Sequence, residues 1–294
     1  MKITRRQVIA AGCGGLLQAK SRKKSRISLE GYIWQNLAAR EKKPLAGMLP
    51  DLYASAAKAG FQNLELNNGF FTTALKDQVV ELTRLNKLLM PSVYVGGGMH
   101  EEAAAEKTIA RALEIGAICK EFECTAIVNN PDSKPKNALK SDEELATQAK
   151  LVNQMGRVLS SKGFQLRLHH HTAEMMENAR EWRHLLHNTD SQYVSLCLDI
   201  EHVQHGGADP DALLREAGKR VTEVHLRNKI KETPLQAFEQ GDIDYAKIAG
   251  TLKELKLKPL IVIELAYHSD TLISREFGEN LRLSSVYAEK LFGA

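Results

Sequence analysis

Val194-Ser195-Leu196-Cys197-Leu198-Asp199, residues 194–199, alternates bulky aliphatic side chains with small or polar ones. Successive side chains of a strand point to opposite faces, so Val194, Leu196 and Leu198 share one side and Ser195, Cys197 and Asp199 the other. The bulky face suits packing beneath helices, and the small, polar face suits the interior of a closed barrel. An acid then stands at the carboxyl end of the interior face. Residues 260–265 read the same way: Ile261, Ile263 and Leu265 alternate with Val262 and Glu264, which again leaves an acid at the end of the inner face.

Outward from these two stretches the chain keeps one rhythm. Apolar runs occur at 27–34, 64–66, 91–95, 124–128, 164–168, 194–198, 221–226 and 260–265. Segments of helical period lie between them, for example Ile109, Ala112, Leu113 and Ala117, or Leu145, Ala149, Val152 and Leu159. Ser141 with Glu144 three residues later predicts a capping box that opens the second of these helices. Eight strand–helix repeats in about 250 residues predict an α/β fold, a (β/α)8 TIM barrel. A doubly wound sheet is disfavoured, because Gly96-Gly97-Gly98 lacks the Gly-x-Gly-x-x-Gly spacing of a phosphate loop. With no Pro- or Ser-rich linker inside, residues 20–294 read as a single barrel.

Thr4-Arg5-Arg6-Gln7-Val8-Ile9, followed by a Gly/Ala-rich run over 8–17 and Leu17-Gln18-Ala19, resembles a twin-arginine (Tat) export signal with its cleavage site. The run is too short to span a bilayer, so residues 1–19 are expected to be a removed signal and the mature protein to be periplasmic, without a membrane anchor. Removing them takes Lys2, Arg5 and Arg6 from a net charge of +4 and leaves +1 (4 − 3). Nothing in that balance calls for nucleic acid or an anionic membrane. Of the four cysteines, Cys119, Cys124 and Cys197 remain, an odd number that argues against a disulfide framework.

Acids and histidines gather at strand ends: His169-His170-His171 and Glu174 after the fifth strand, Asp199 and His202 after the sixth, His225 in the seventh, Glu264 in the eighth. Four consecutive strands thus bring His, Asp and Glu to one mouth of the barrel. Mixed oxygen and imidazole donors suit one divalent ion, Mn2+, Co2+, Zn2+ or Mg2+, and clustered buried carboxylates without a cation would be costly. Singly, His225 also reads as a hydrogen-bonded core residue and Asp199 as a cap.

The motifs resemble those of the xylose isomerase-like barrel family, which includes sugar phosphate isomerases/epimerases, relatives of inosose dehydratase and an endonuclease branch. Gly60-Phe61-Gln62-Asn63-Leu64-Glu65-Leu66 resembles the second-strand motif, and His169-His170-His171-Thr172-Ala173-Glu174 the His-Asn-His-x-x-Glu of the fifth. Leu198-Asp199-Ile200-Glu201-His202, Glu223-Val224-His225-Leu226-Arg227-Asn228, Gly241-Asp242-Ile243-Asp244-Tyr245 and Val262-Ile263-Glu264 match the later ones. The resemblance implies a metal held by Glu, Asp, His and Glu. Asp199, His225 and Glu264 carry over directly; Glu174 is taken as the first ligand, with His169 or His171 as substitutes, and the triple histidine also reads as a hydrogen-bonded support for the ligands.

The implied function is a metal-dependent isomerase or epimerase acting on a sugar or polyol through an ene-diolate, with Glu174 and Glu264 as base and acid and His202 on a substrate hydroxyl or in proton shuttling. Trp34, Glu65, His171 and Arg227 are the substrate-binding candidates; Trp34 reads either as a sugar platform or as core. A lyase or dehydratase acting on keto-sugars or glycosides is the alternative, favoured by export, and a non-catalytic sugar-binding barrel is a third reading. The endonuclease branch is disfavoured, since the third and fourth strands end in Val95-Gly96-Gly97 and Asn129-Asn130 rather than in further ligands. The partner is a small carbohydrate, and a homo-oligomer is left open.

Overall fold

The computed structural model describes residues 24–293; residues 1–19, expected to be an export signal, lie outside them. Seven barrel strands come first: β1 (Ile27–Glu30), β2 (Asn63–Glu65), β3 (Ser92–Tyr94), β4 (Ala126–Asn129), β5 (Gln165–Leu168), β6 (Val194–Asp199) and β7 (Val221–Leu226). A short hairpin, β8 (Lys229–Ile230) with β9 (Thr233–Pro234), follows, and β10 (Leu260–Ile263) is the last barrel strand. The helices between them are α1 (Tyr32–Glu41), α2 (Leu45–Lys58), α3 (Lys76–Leu85), α4 (Glu102–Cys119), α5 (Asp142–Ser161), α6 (Thr172–Asn188), α7 (Ile200–His205), α8 (Pro210–Ala217), α9 (Tyr245–Glu254) and α10 (Phe277–Phe292).

The eight barrel strands pair in parallel in the order β2-β1-β10-β7-β6-β5-β4-β3. The ring closes between β2 and β3 through isolated bridges, Asn63 with Leu89 and Asn67 with Tyr94, and through Tyr94 N–H donating to Leu66 O at 3.0 Å. This is the (β/α)8 barrel that the alternation predicts. The register decides the site: Asp199 lies beside His225, His225 beside Val262, and Glu30 beside Glu65. The acids and imidazoles of neighbouring strands are therefore level with one another.

Ser141 and Glu144 form the predicted capping box at the start of α5, with N–H to oxygen distances of 3.2 and 2.7 Å. Cys119, Cys124 and Cys197 are buried and free. Among the described residues no helix is long and apolar enough to cross a membrane.

The first apolar run departs from its reading as one strand. β1 stops at Glu30 and a helix begins at Tyr32, with Ile33, Trp34, Leu37 and Ala38 buried at helical spacing. Gly31 permits the turn: a Cβ there would meet Leu66 Cδ2 at 2.5 Å, and its N–H donates to Glu65 O at 2.8 Å. Residues 27–34 are apolar enough to read as a strand throughout, and only the spacing after Gly31 separates the two elements.

Candidate active site

The carboxyl ends of the strands surround a mouth of about 550 Å3, lined among others by Glu30, Tyr94, His169, His202, Arg227 and Glu264. At its base His169, Asp199, His225 and Glu264 each offer one donor atom, all within 4.8 Å of one another. His169 Nε2 and Asp199 Oδ2 face each other at 3.8 Å, and neither has a hydrogen-bond partner. Both residues are buried, and a buried polar atom left unpaired is costly. His225 Nδ1 lies 2.9 Å from Glu264 Oε2.

Each donor is aimed by a neighbour. Asn130 Nδ2 donates to Pro131 O at 2.9 Å, which turns Asn130 Oδ1 toward His169 Nδ1 at 3.2 Å. His169 therefore carries its proton on Nδ1 and keeps the Nε2 lone pair toward Asp199, the tautomer a metal ligand needs. Asp199 Oδ1 accepts from His202 N–H at 2.9 Å, leaving Oδ2 as the converging atom. His225 Nε2 sits 3.0 Å from Glu65 Oε1 and 3.2 Å from Glu223 Oε1, so a carboxylate holds the ring from behind. The set fits a divalent cation: two unpaired, converging, buried donors complete a group of two imidazoles and two carboxylates.

The electrostatics follow from burial and charge. Burial pushes the Asp199 carboxyl up, but His202, His169 and Arg227 outweigh it and hold it well below the usual range. Burial holds His169 and His202 below their ordinary values. Burial, then Glu264 and Glu65, raise the Glu30 carboxyl. Beneath the mouth, burial and the neighbouring Glu223 push Glu65 up to about 8. Burial also raises Glu223, but Arg167 and His225 overcome it and hold it at about 2.

Asp199, His225 and Glu264 come together as expected. Glu174, the expected strand-five ligand and base, does not join them. It stands in the first turn of α6, where Oε2 accepts from His171 N–H at 2.8 Å, Oε1 accepts from Ser133 Oγ at 2.8 Å, and Lys140 Nζ lies 3.7 Å away. The helix begins at Thr172, so Glu174 caps its own helix instead of reaching over the barrel. The substitute His169 holds the position. Parity carries that signal: Arg167, which pairs with Glu223 inside the barrel, and His169 share the inner face, just as Cys197 and Asp199 do.

Trp34 is another correction. It is fully buried on α1, its ring 4.9 Å from Tyr53 and 6.0 Å from Phe70, and it touches no part of the mouth. The aromatic that lines the mouth near Glu30 is Tyr32, 38% exposed. Trp34→Ala is expected to cost roughly 3–5 kcal/mol of stability in a denaturant titration, with Tyr32→Ala costing under about 1 kcal/mol. Glu65 is also displaced from its expected substrate role: it is fully buried below the mouth against Ser92, Glu223 and His225. His171, His202 and Arg227 do line the mouth. Arg227 Nη2 reaches Glu201 Oε2 at 2.6 Å and His202 Nε2 at 3.2 Å, and its Nη1 lies 3.4 Å from Glu264 Oε1. Glu30, Tyr94, Asn130 and Glu201 join the site beyond the residues the sequence points to. Glu30 ends the inner face of β1 as Glu264 ends that of β10, a signal hidden when 27–34 is read as one strand.

The model of the xylose isomerase-like TIM barrel matches residues 53–284. The chain belongs to the xylose isomerase-like TIM barrel family. Within it, the chain is 33% identical over 142 residues to an inosose dehydratase of Clostridium perfringens, 42% of this chain and 48% of that enzyme. The chain thus spans about half the length of that relative. A sugar phosphate isomerase/epimerase from Parabacteroides distasonis shares the fold at a TM-score of 0.70 and 15% identity, covering 92% of this chain and 96% of that one. A D-psicose 3-epimerase from Clostridium cellulolyticum, solved with D-tagatose, does so at 0.69 and 13%, covering 90% and 99%. The fold is thus shared with epimerases, and the sequence relative is a dehydratase.

Proposed function

We propose that this chain is a metal-dependent carbohydrate lyase of the dehydratase type, acting on a keto-sugar or keto-polyol. One observation carries the reading: the unpaired His169 Nε2 and Asp199 Oδ2, 3.8 Å apart beside the His225–Glu264 pair at the base of a polar mouth. When bound there, a divalent cation supplies Lewis-acid polarisation of substrate oxygens. Two imidazoles beside two carboxylates favour Mn2+, Co2+ or Zn2+ over Mg2+.

The chain's own groups then divide the work. Glu264 Oε1, at the mouth beside Arg227, takes the proton from the carbon next to the carbonyl. The C–H electron pair becomes a C=C bond as the C–O bond one carbon further breaks, and Glu264 returns the proton to the departing oxygen. Arg227 keeps Glu264 oriented. The His171 ring lines the mouth, where it can hydrogen-bond a substrate hydroxyl. An isomerase or epimerase working with two carboxylates needs a second one on the opposite face. Glu174, expected there, is engaged with Ser133, Lys140 and its helix cap. The inosose dehydratase relative supports elimination. Export to the periplasm is proposed on the Arg5-Arg6 segment alone.

Inosose and unphosphorylated keto-sugars are the first compounds to assay. Metal-loaded protein is expected to form a dehydrated, ultraviolet-absorbing product, and chelation to cut the rate by about 100-fold or more. Undiminished turnover after exhaustive chelation would refute the metal requirement. Deuterium uptake from solvent without loss of a substituent would return the chemistry to epimerisation.

A further inference from the structure

We infer that the mouth takes an uncharged sugar or polyol and excludes sugar phosphates; the inference rests on the proposed metal-dependent reading of this same site. A phosphate ester needs an unengaged guanidinium or ammonium, or a row of free N–H groups at a helix N-terminus. Among the described residues, the cations at the mouth are engaged by carboxylates.

Its acids are Glu30, Glu201, Glu232 and Glu264, and Arg227 is the arginine that lines it. Arg227 is held by Glu201 at 2.6 Å and Glu264 at 3.4 Å. Lys229 stands behind the wall, its Nζ 3.4 Å from Glu201 and 3.6 Å from Glu232. A divalent ion's two charges are matched by Asp199 and Glu264. Glu30, Glu201 and Glu232 then face Arg227 and Lys229, so the mouth holds no excess positive charge. In the adjoining bowl, which shares His205 and Glu232, Lys229 and Lys231 stand with Glu232 and Asp242, again without excess positive charge.

At the helix N-termini that follow β5, β6 and β7, the chain's own carboxylates each take up one N–H. Glu174 Oε2 accepts from His171 N–H at 2.8 Å, Asp199 Oδ1 from His202 N–H at 2.9 Å, and Asp244 Oδ1 from Lys247 N–H at 3.0 Å. The mouth also offers neutral groups that hydrogen-bond hydroxyls: the phenol of Tyr32 and the amides of Gln35, Asn67 and Asn68. Its volume of about 550 Å3 lies well within the range of small-molecule sites.

The test is calorimetric titration of the protein as purified with matched pairs, each a neutral ketose, aldose or cyclitol and its monophosphate, fructose and fructose 6-phosphate among them. Metal content is measured on the same sample. At least one neutral member is expected to saturate the site, with its phosphate ester bound about tenfold more weakly or worse. Glu232→Lys, at a position 78% exposed in its side chain, is expected to narrow that gap. Phosphate esters binding as tightly as their partners, or no neutral member saturating the site, would overturn the inference. If Lys231→Ala abolished tight binding of an ester, the bowl beside the mouth would be the phosphate site. A metal-free sample that still prefers the neutral partner would sink the metal reading and leave this one standing.

Discussion

His169→Ala is expected to lose the metal ion, with affinity falling at least about 100-fold, while Glu174→Gln keeps a full complement. His169 Nε2 is one of two converging, unpartnered donors, and Asp199 Oδ2 opposite it would face an empty corner once the ring is gone. Disturbing only the groups that orient a ligand typically costs 10–100-fold, so deleting the ligand itself costs no less. Glu174 meets the rest of the chain through Ser133, Lys140 and the His171 N–H. Its substitution therefore reports on the loop and helix after β5 and shows as lost stability, not lost metal. Elemental analysis of the two variants, beside a thermal melt, separates these outcomes. Metal loss from Glu174→Gln and retention in His169→Ala would reverse the assignment.

Glu264→Gln is the variant with the largest expected effect on rate. Glutamine keeps an oxygen toward the ligand cluster but cannot accept the substrate proton, so turnover is expected to fall about 10²–10⁴-fold. Metal content should fall far less than with Glu264→Ala. Arg227 reaches both Glu264 and Glu201, so the amide stays oriented and the loss reports proton transfer more than disorder. Solvent deuterium exchange at the substrate carbon gives the same answer independently. Exchange undiminished in Glu264→Gln would remove Glu264 as the base.

The parts of this fold that repeat were legible in the sequence. Eight apolar runs mark the eight barrel strands, and the alternation of Ser195, Cys197 and Asp199 with bulky neighbours assigns the inner face of β6. Asp199, His225 and Glu264 followed because each ends or occupies an inner face, where side-chain direction is fixed by the two-residue period. Glu174 failed because it lies beyond the strand, where the helical period takes over and its carboxylate caps His171. Family resemblance points to an acid there, while the structure puts Arg167 and His169 on the inner face and Glu174 beyond it. Trp34 failed for a related reason: Gly31 ends β1 early, and the next turn of helix carries the tryptophan into the core. Glu65 occupies the inner face as its strand predicts, but its depth, below the mouth and against Glu223, is set by stagger between strands that no single segment reveals.

The most direct measurement of the central claim is an anomalous difference map from crystals of the protein as purified, with data collected on either side of the absorption edges of Mn, Co and Zn. The account predicts one peak per chain, enclosed by His169 Nε2, Asp199 Oδ2, the His225 nitrogen that faces Glu264, and the Glu264 carboxylate. A peak bound instead by Glu174, or metal-replete crystals with no peak inside this group, would contradict it.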